Sequence, residues 1–224
     1  VGQNTTTIEE VTNIARLAAE NDLQLCVHAI GDRANREVIN IFENQIKANP
    51  TKDWRWRIEH AQHLHPKDIP RFKEWGIIAS MQGIHCTSDA PFVVDRLGEK
   101  RAREGAYPWR SLLDAGVLIA NGTDAPVEDV DPLESFYASV TRKRADTGLE
   151  FFTEQKMTRE EGLYSYTLGN AFAGFEEKDK GSLEVGKLAD VTILTKDLRN
   201  CADEEILAAE VVYTIVGGEV KFEQ

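Results

Sequence analysis

The chain has 224 residues, with 26 Lys and Arg against 38 Asp and Glu, a formal net charge of −12 and 42% hydrophobic residues. A chain of this length buries roughly 70% of its unfolded surface, so a globular core is expected, and the acidic balance disfavours nucleic acid and anionic membranes as partners. No apolar run reaches the roughly 20 residues of a membrane helix, and Val1 to Thr7 shows no charged-then-apolar leader pattern; a soluble cytoplasmic protein is expected.

Thr7-Ile-Glu-Glu10 has the form of a capping box, and Ile8, Val11, Ala15 and Ala18 continue at helical spacing to Asn21. Leu23 to His28 is a short apolar run of strand length ended by Gly31-Asp32. Ile39, Phe42 and Ile46 mark the face of a second helix, closed by Pro50. Arg55 to Ala61 reads as a strand, Pro66 to Trp75 as a short helix, and Ile77 to Met81 as a third strand. A long segment follows, with a helix near Pro108 to Asp114, and Val117 to Ala120 then runs into Asn121-Gly-Thr-Asp124 as a fourth strand. Helices are expected over Leu133 to Arg144 and Thr158 to Phe172, the latter opening on a second capping box. The last stretch is different: Val191 to Leu194, Val211 to Val216 and Glu219 to Phe222 read as strands, with Gly217-Gly218 as a hairpin turn. Strands alternating with helices predict an α/β fold with a parallel sheet, followed by a small β appendage.

Three polar residues lie at or just beyond the C-terminal ends of predicted strands: His28, His60 and Asp124. That end of a parallel sheet gathers active sites, because loops there vary while the strands hold their last residues in place. Two imidazoles and a carboxylate from separate strands suit Zn²⁺ or a related divalent ion, although each alone also suits a hydrogen-bonded structural role. Asp32 and Arg33 read as a turn and helix cap, and His63 and His65 as residues of a surface loop before Pro66. The three cysteines, Cys26, Cys86 and Cys201, are expected to be buried free thiols of a reducing compartment. Serine-hydrolase and dinucleotide motifs are absent.

Leu25-Cys-Val-His28-Ala-Ile-Gly-Asp32, Arg57-Ile-Glu-His60-Ala-Gln62, Ser80-Met-Gln82 with His85, and Gly122-Thr-Asp124-Ala-Pro-Val127 resemble successive signatures of the amidohydrolase superfamily, closest to amidohydrolase family 3. Lys180 to Leu194 and Val216 to Val220 resemble the β-sandwich segment that follows the barrel in that family. The resemblance implies a metal-dependent hydrolase on a distorted (β/α)₈ TIM barrel. By motif position, His28 and His60 match metal ligands from the fifth and sixth strands, and Asp124 matches the acid after the eighth, a metal contact and the catalytic proton acceptor. His85 and Gln82 then fall in the substrate region, with His85 the candidate for holding the scissile carbonyl oxygen. At Gly83 the family often has Pro.

A whole barrel takes about 250 residues. The fold class expected here is therefore a partial TIM barrel of about four C-terminal βα units over residues 1–179, with a β-sandwich tail segment over 180–224. The family's first-strand His-x-His pair and fourth-strand bridging ligand have no counterpart here, and the chain starts on Val1. It is expected to be a fragment whose metal site is incomplete, acting with a divalent metal, most simply Zn²⁺, on a small amide-type substrate. Exposed strand edges predict a homo-oligomer or association with the missing N-terminal half. The competing expectation is a non-catalytic binding module on a hydrolase-derived fold.

Overall fold

The computed structural model describes residues 2–224, and the chain divides into two compact units, Val1–Met81 with Pro91–Ile119, and Gln82–Ala90 with Ala120–Gln224. In the first unit, helix α1 (Ile8–Glu20) starts where the Thr7 hydroxyl accepts from the Glu10 N–H. Strand β1 (Cys26–Ala29) leads to α2 (Asp32–Ala48), then β2 (Arg57–His60), α3 (Ile69–Glu74) and the start of β3 (Ile78–Gln82). β1 and β2 pair in parallel with His28 opposite Glu59, and β2 and β3 with Glu59 opposite Ser80. The four-stranded sheet runs β1-β2-β3-β4, where β4 is Ile119–Gly122. Four parallel strands alternating with helices meet the α/β expectation.

The core of this unit forms because α2 presents Val38, Ile39, Phe42 and Ile46 on one face. Phe42 meets Trp56 edge-on at 5.0 Å, and Trp56 meets Trp54 at 4.9 Å. Both indoles also have polar partners, Trp56 donating to the Leu23 carbonyl and Trp54 to that of Asn49.

The long segment between β3 and residue 108, for which the sequence marked no element, holds two helices, α4 (Gly83–Leu97) and α5 (Glu99–Gly105); α6 (Trp109–Asp114) follows as expected. Pro91 lies inside α4 and has no N–H to give to the Thr87 carbonyl. In the second unit Arg144 supplies that donor from its guanidinium, 3.2 Å from the Thr87 oxygen and 3.3 Å from that of Ser88.

The second unit continues through α7 (Pro132–Thr141), capped by Asp131. The helix expected over Thr158 to Phe172 is two, α8 (Arg159–Tyr166) and α9 (Leu168–Ala173). The Thr167 hydroxyl bonds back to the Leu163 carbonyl at 2.6 Å, and its backbone leaves helical geometry. Strands β5 (Val191–Leu194), β6 (Val211–Val216) and β7 (Glu219–Glu223) make an antiparallel sheet, with the short helix α10 (Asp203–Ile206) between β5 and β6. Gly217 and Gly218 both have positive φ, 59° and 82°, as a two-residue hairpin turn of this hand requires. Leu198, Ile206 and Ala209 pack with Phe136, Tyr137 and Val140 of α7 to form this unit's core. Among the described residues, no helix is long and apolar enough to cross a membrane.

Candidate active site

In the first unit the two candidate imidazoles meet. His28, in β1, and His60, the last residue of β2, lie with ring centroids 4.4 Å apart in an edge-to-face arrangement. His60 and Ala61 both have positive φ, 76° and 44°, a conformation that costs a residue with a Cβ about 1–3 kcal/mol and persists only where surroundings impose it. Here β1 imposes it: Ala61 N–H donates to the Ala29 carbonyl and His63 N–H to that of Ile30. Buried Asn35 gathers the same loop, its amide group lying within hydrogen-bonding reach of the Ala29, Ile30 and Gly31 carbonyls.

The neighbouring residues depart in part from their plainer readings. Gly31 occupies the cap position of α2, while Asp32 is its first residue and pairs with Arg101 at 2.9 Å. Burial opposes ionisation of Asp32, but the Arg101 hydrogen bond and charge outweigh it and hold the carboxyl below its usual range. His65 is exposed, whereas His63 is half-buried and packs edge-on against Tyr107 at 5.5 Å. Both line a cavity of about 320 Å³ with Asp32, Lys100, Arg101 and Glu104. Cys86 is buried as expected, and burial pushes its thiol up to about 11. Cys26 is exposed and Cys201 half-buried; β1 is an edge strand, so part of Cys26 is left uncovered.

The second unit brings together Asp124, His85 and a residue that the sequence did not single out. Asp124 follows β4 with φ 63°, again left-handed. His85, in the first turn of α4, is buried; its Nε2 lies 3.3 Å from Asp124 Oδ2 and its Nδ1 3.1 Å from Glu128 Oε1. Ser88 donates to the same Glu128 oxygen at 2.7 Å. Gln82, at the end of β3, is buried.

The frame of this cluster is a set of small polar side chains. Ser135 Oγ accepts from the Ile84 N–H and the Tyr166 hydroxyl and donates to the Gly122 carbonyl. Asn121 Oδ1 accepts from the Gly83 and Gly122 N–H groups, and Asn121 Nδ2 donates to Ser139. The opening N–H groups of α4 are thus capped by side chains of β4 and α7. Burial pushes the Tyr166 hydroxyl up to about 12 and so keeps it a neutral donor. Close by, Glu134 is raised by burial and by the charges of Glu128, Asp146, Asp131 and Asp129. Within the second unit, the imidazole of His85 and the carboxylate of Asp124 are donor types that suit a divalent ion of the zinc type.

The sequence pattern of the Amidohydrolase family matches residues 1–222, and the chain belongs to that family. It is 36% identical to the Arabidopsis thaliana protein LONG AFTER FAR-RED 3, covering 94% of this chain and 36% of that protein. It is 33% identical to the putative amidohydrolase YtcJ of Bacillus subtilis, covering 96% of this chain and 40% of that one. Among solved structures, it resembles an uncharacterized metal-dependent hydrolase from Pyrococcus horikoshii, with a TM-score of 0.78, 29% identity, and coverage of 90% of this chain and 40% of that one. The chain therefore spans well under half the length of these relatives.

Proposed function

We propose that this chain supplies part of the active site of a metal-dependent hydrolase that cleaves carbon–nitrogen bonds in small, non-peptide amides. The observation that carries the reading is the half-buried contact between His85 and Asp124, with Asp124 and His60 both held in left-handed backbone at strand ends. In this reading His28, His60 and Asp124 are ligands of a divalent ion, most simply Zn²⁺. When bound, such an ion lowers the pKa of a coordinated water and polarises a carbonyl.

The chain's own residues do the rest. Asp124 accepts the proton of the attacking water and passes it to the leaving amine, a role suited to a carboxylate that stays 35% exposed at the side-chain level. His85 Nε2, beside Asp124, holds the substrate carbonyl oxygen, and Gln82 lines the substrate region. The reading includes a partial barrel over residues 1–179 and a sandwich segment over 180–224, completed by a second copy or by a polypeptide carrying the other half. Metal analysis tests it: the purified protein is expected to hold zinc stoichiometrically and to lose it in His28→Ala, His60→Ala and Asp124→Ala variants that stay folded. A folded wild-type protein that takes up no divalent metal would sink the reading and favour a non-catalytic binding module.

A further inference from the structure

Glu128 has no role in the chemistry above, yet it is the best-held carboxylate near His85. We propose that Glu128 is a positioning residue for His85, itself clamped by Ser88. A histidine ring turns about a broad, two-fold torsion, and only a partner at each nitrogen fixes which nitrogen faces outward. Carboxylate oxygens accept hydrogen bonds, so Glu128 Oε1, 3.1 Å from Nδ1, and Asp124 Oδ2, 3.3 Å from Nε2, are acceptors for N–H groups on the two sides of the His85 ring. The ring is thereby turned so that Nε2 faces Asp124.

Ser88 lies one helical turn beyond His85 on α4, and its hydroxyl reaches the same Glu128 oxygen at 2.7 Å. One carboxylate oxygen thus ties His85 and Ser88 to the loop after β4. Exposure falls in the order this division of labour requires: Asp124 keeps 35% of its side-chain surface, Glu128 23% and His85 10%. The open end of the row is Asp124, where substrate chemistry occurs, and Glu128 backs the ring from behind. Partners of this kind, which orient a functional histidine through its other nitrogen, typically matter by on the order of 10- to 100-fold.

The effect on turnover rests on the hydrolase reading; the orientation of the ring does not. The test uses the full encoded polypeptide with ¹⁵N-labelled histidine, where His85→Gln identifies the imidazole signal of interest. A hydrogen-bonded Nδ1–H is expected for His85, lost in Glu128→Ala and kept in Glu128→Gln, whose amide oxygen still accepts. With an amide substrate, Glu128→Ala is expected to lower kcat by about 10- to 100-fold with KM nearly unchanged, and Glu128→Gln to recover most of it. An Nδ1–H signal unaltered by Glu128→Ala overturns the proposal. Should that variant unfold, Ser88→Ala removes only the clamp and is expected to broaden the same signal; a sharp, unmoved signal would equally overturn it. A wild-type protein with the expected signal but no turnover sinks the hydrolase reading and leaves the positioning role standing.

Discussion

A methyl group on Gly83 has nowhere to go. An added Cβ would lie 2.1 Å from Ser139 Oγ and 2.3 Å from the Ser135 carbonyl oxygen, so α4 can begin against α7 only with glycine here. Gly83→Ala is expected to destabilise by about 1–3 kcal/mol through forced displacement of packed backbone, read by urea denaturation. Adding Ser139→Ala should not restore stability, because the Ser135 carbonyl stays in place; full recovery would refute the steric account. His28, His60 and Asp124 were legible at this scale because each lies at or just beyond the end of a strand readable from the sequence. Glu128 was not, because in the acidic loop Glu128-Asp-Val-Asp131 nothing local separates it from its neighbours.

At the scale of elements, local signals worked where the element caps itself. The Thr158-Arg-Glu-Glu161 capping box is formed in both directions, Thr158 Oγ1 accepting from the Glu161 N–H and Glu161 accepting from the Thr158 N–H. Helix α4 escaped the sequence because it opens on glycine, contains Pro91 and takes its caps from elsewhere: Asn121 for Gly83 and Ser135 for Ile84. Ser135→Ala would leave the Ile84 N–H and the Tyr166 hydroxyl without this acceptor, both in buried surroundings. A loss of about 1–3 kcal/mol is expected, measured by denaturant unfolding, with faster hydrogen exchange at the Ile84 amide. An unchanged exchange rate there would show that another group caps the helix.

For the molecule as a whole, two buried groups make stability fall at alkaline pH. Burial raises Cys86 from 9.0 to about 11 and Tyr166 from 10.0 to about 12. Each is neutral when protonated, so the unfolded chain loses these protons first and the folded state becomes relatively poorer as pH climbs. Their stabilising contribution is complete below pH 9 and is lost as pH rises through 11 and 12. The melting temperature is expected to fall across pH 9–11, and Cys86→Ala to flatten that part of the profile even while lowering stability overall; an equally steep slope in the variant would remove Cys86 as its cause. The sequence by itself determined the alternation of strands and helices, the strand-end His28, His60 and Asp124, and the Gly217-Gly218 hairpin, because each is written in spacing or in neighbouring residues. Only the tertiary structure decided where α4 begins and which carboxylate backs His85, since Glu128 lies 43 residues away. A hydrogen bond across such a separation leaves no period in the sequence and exists only once the chain has folded.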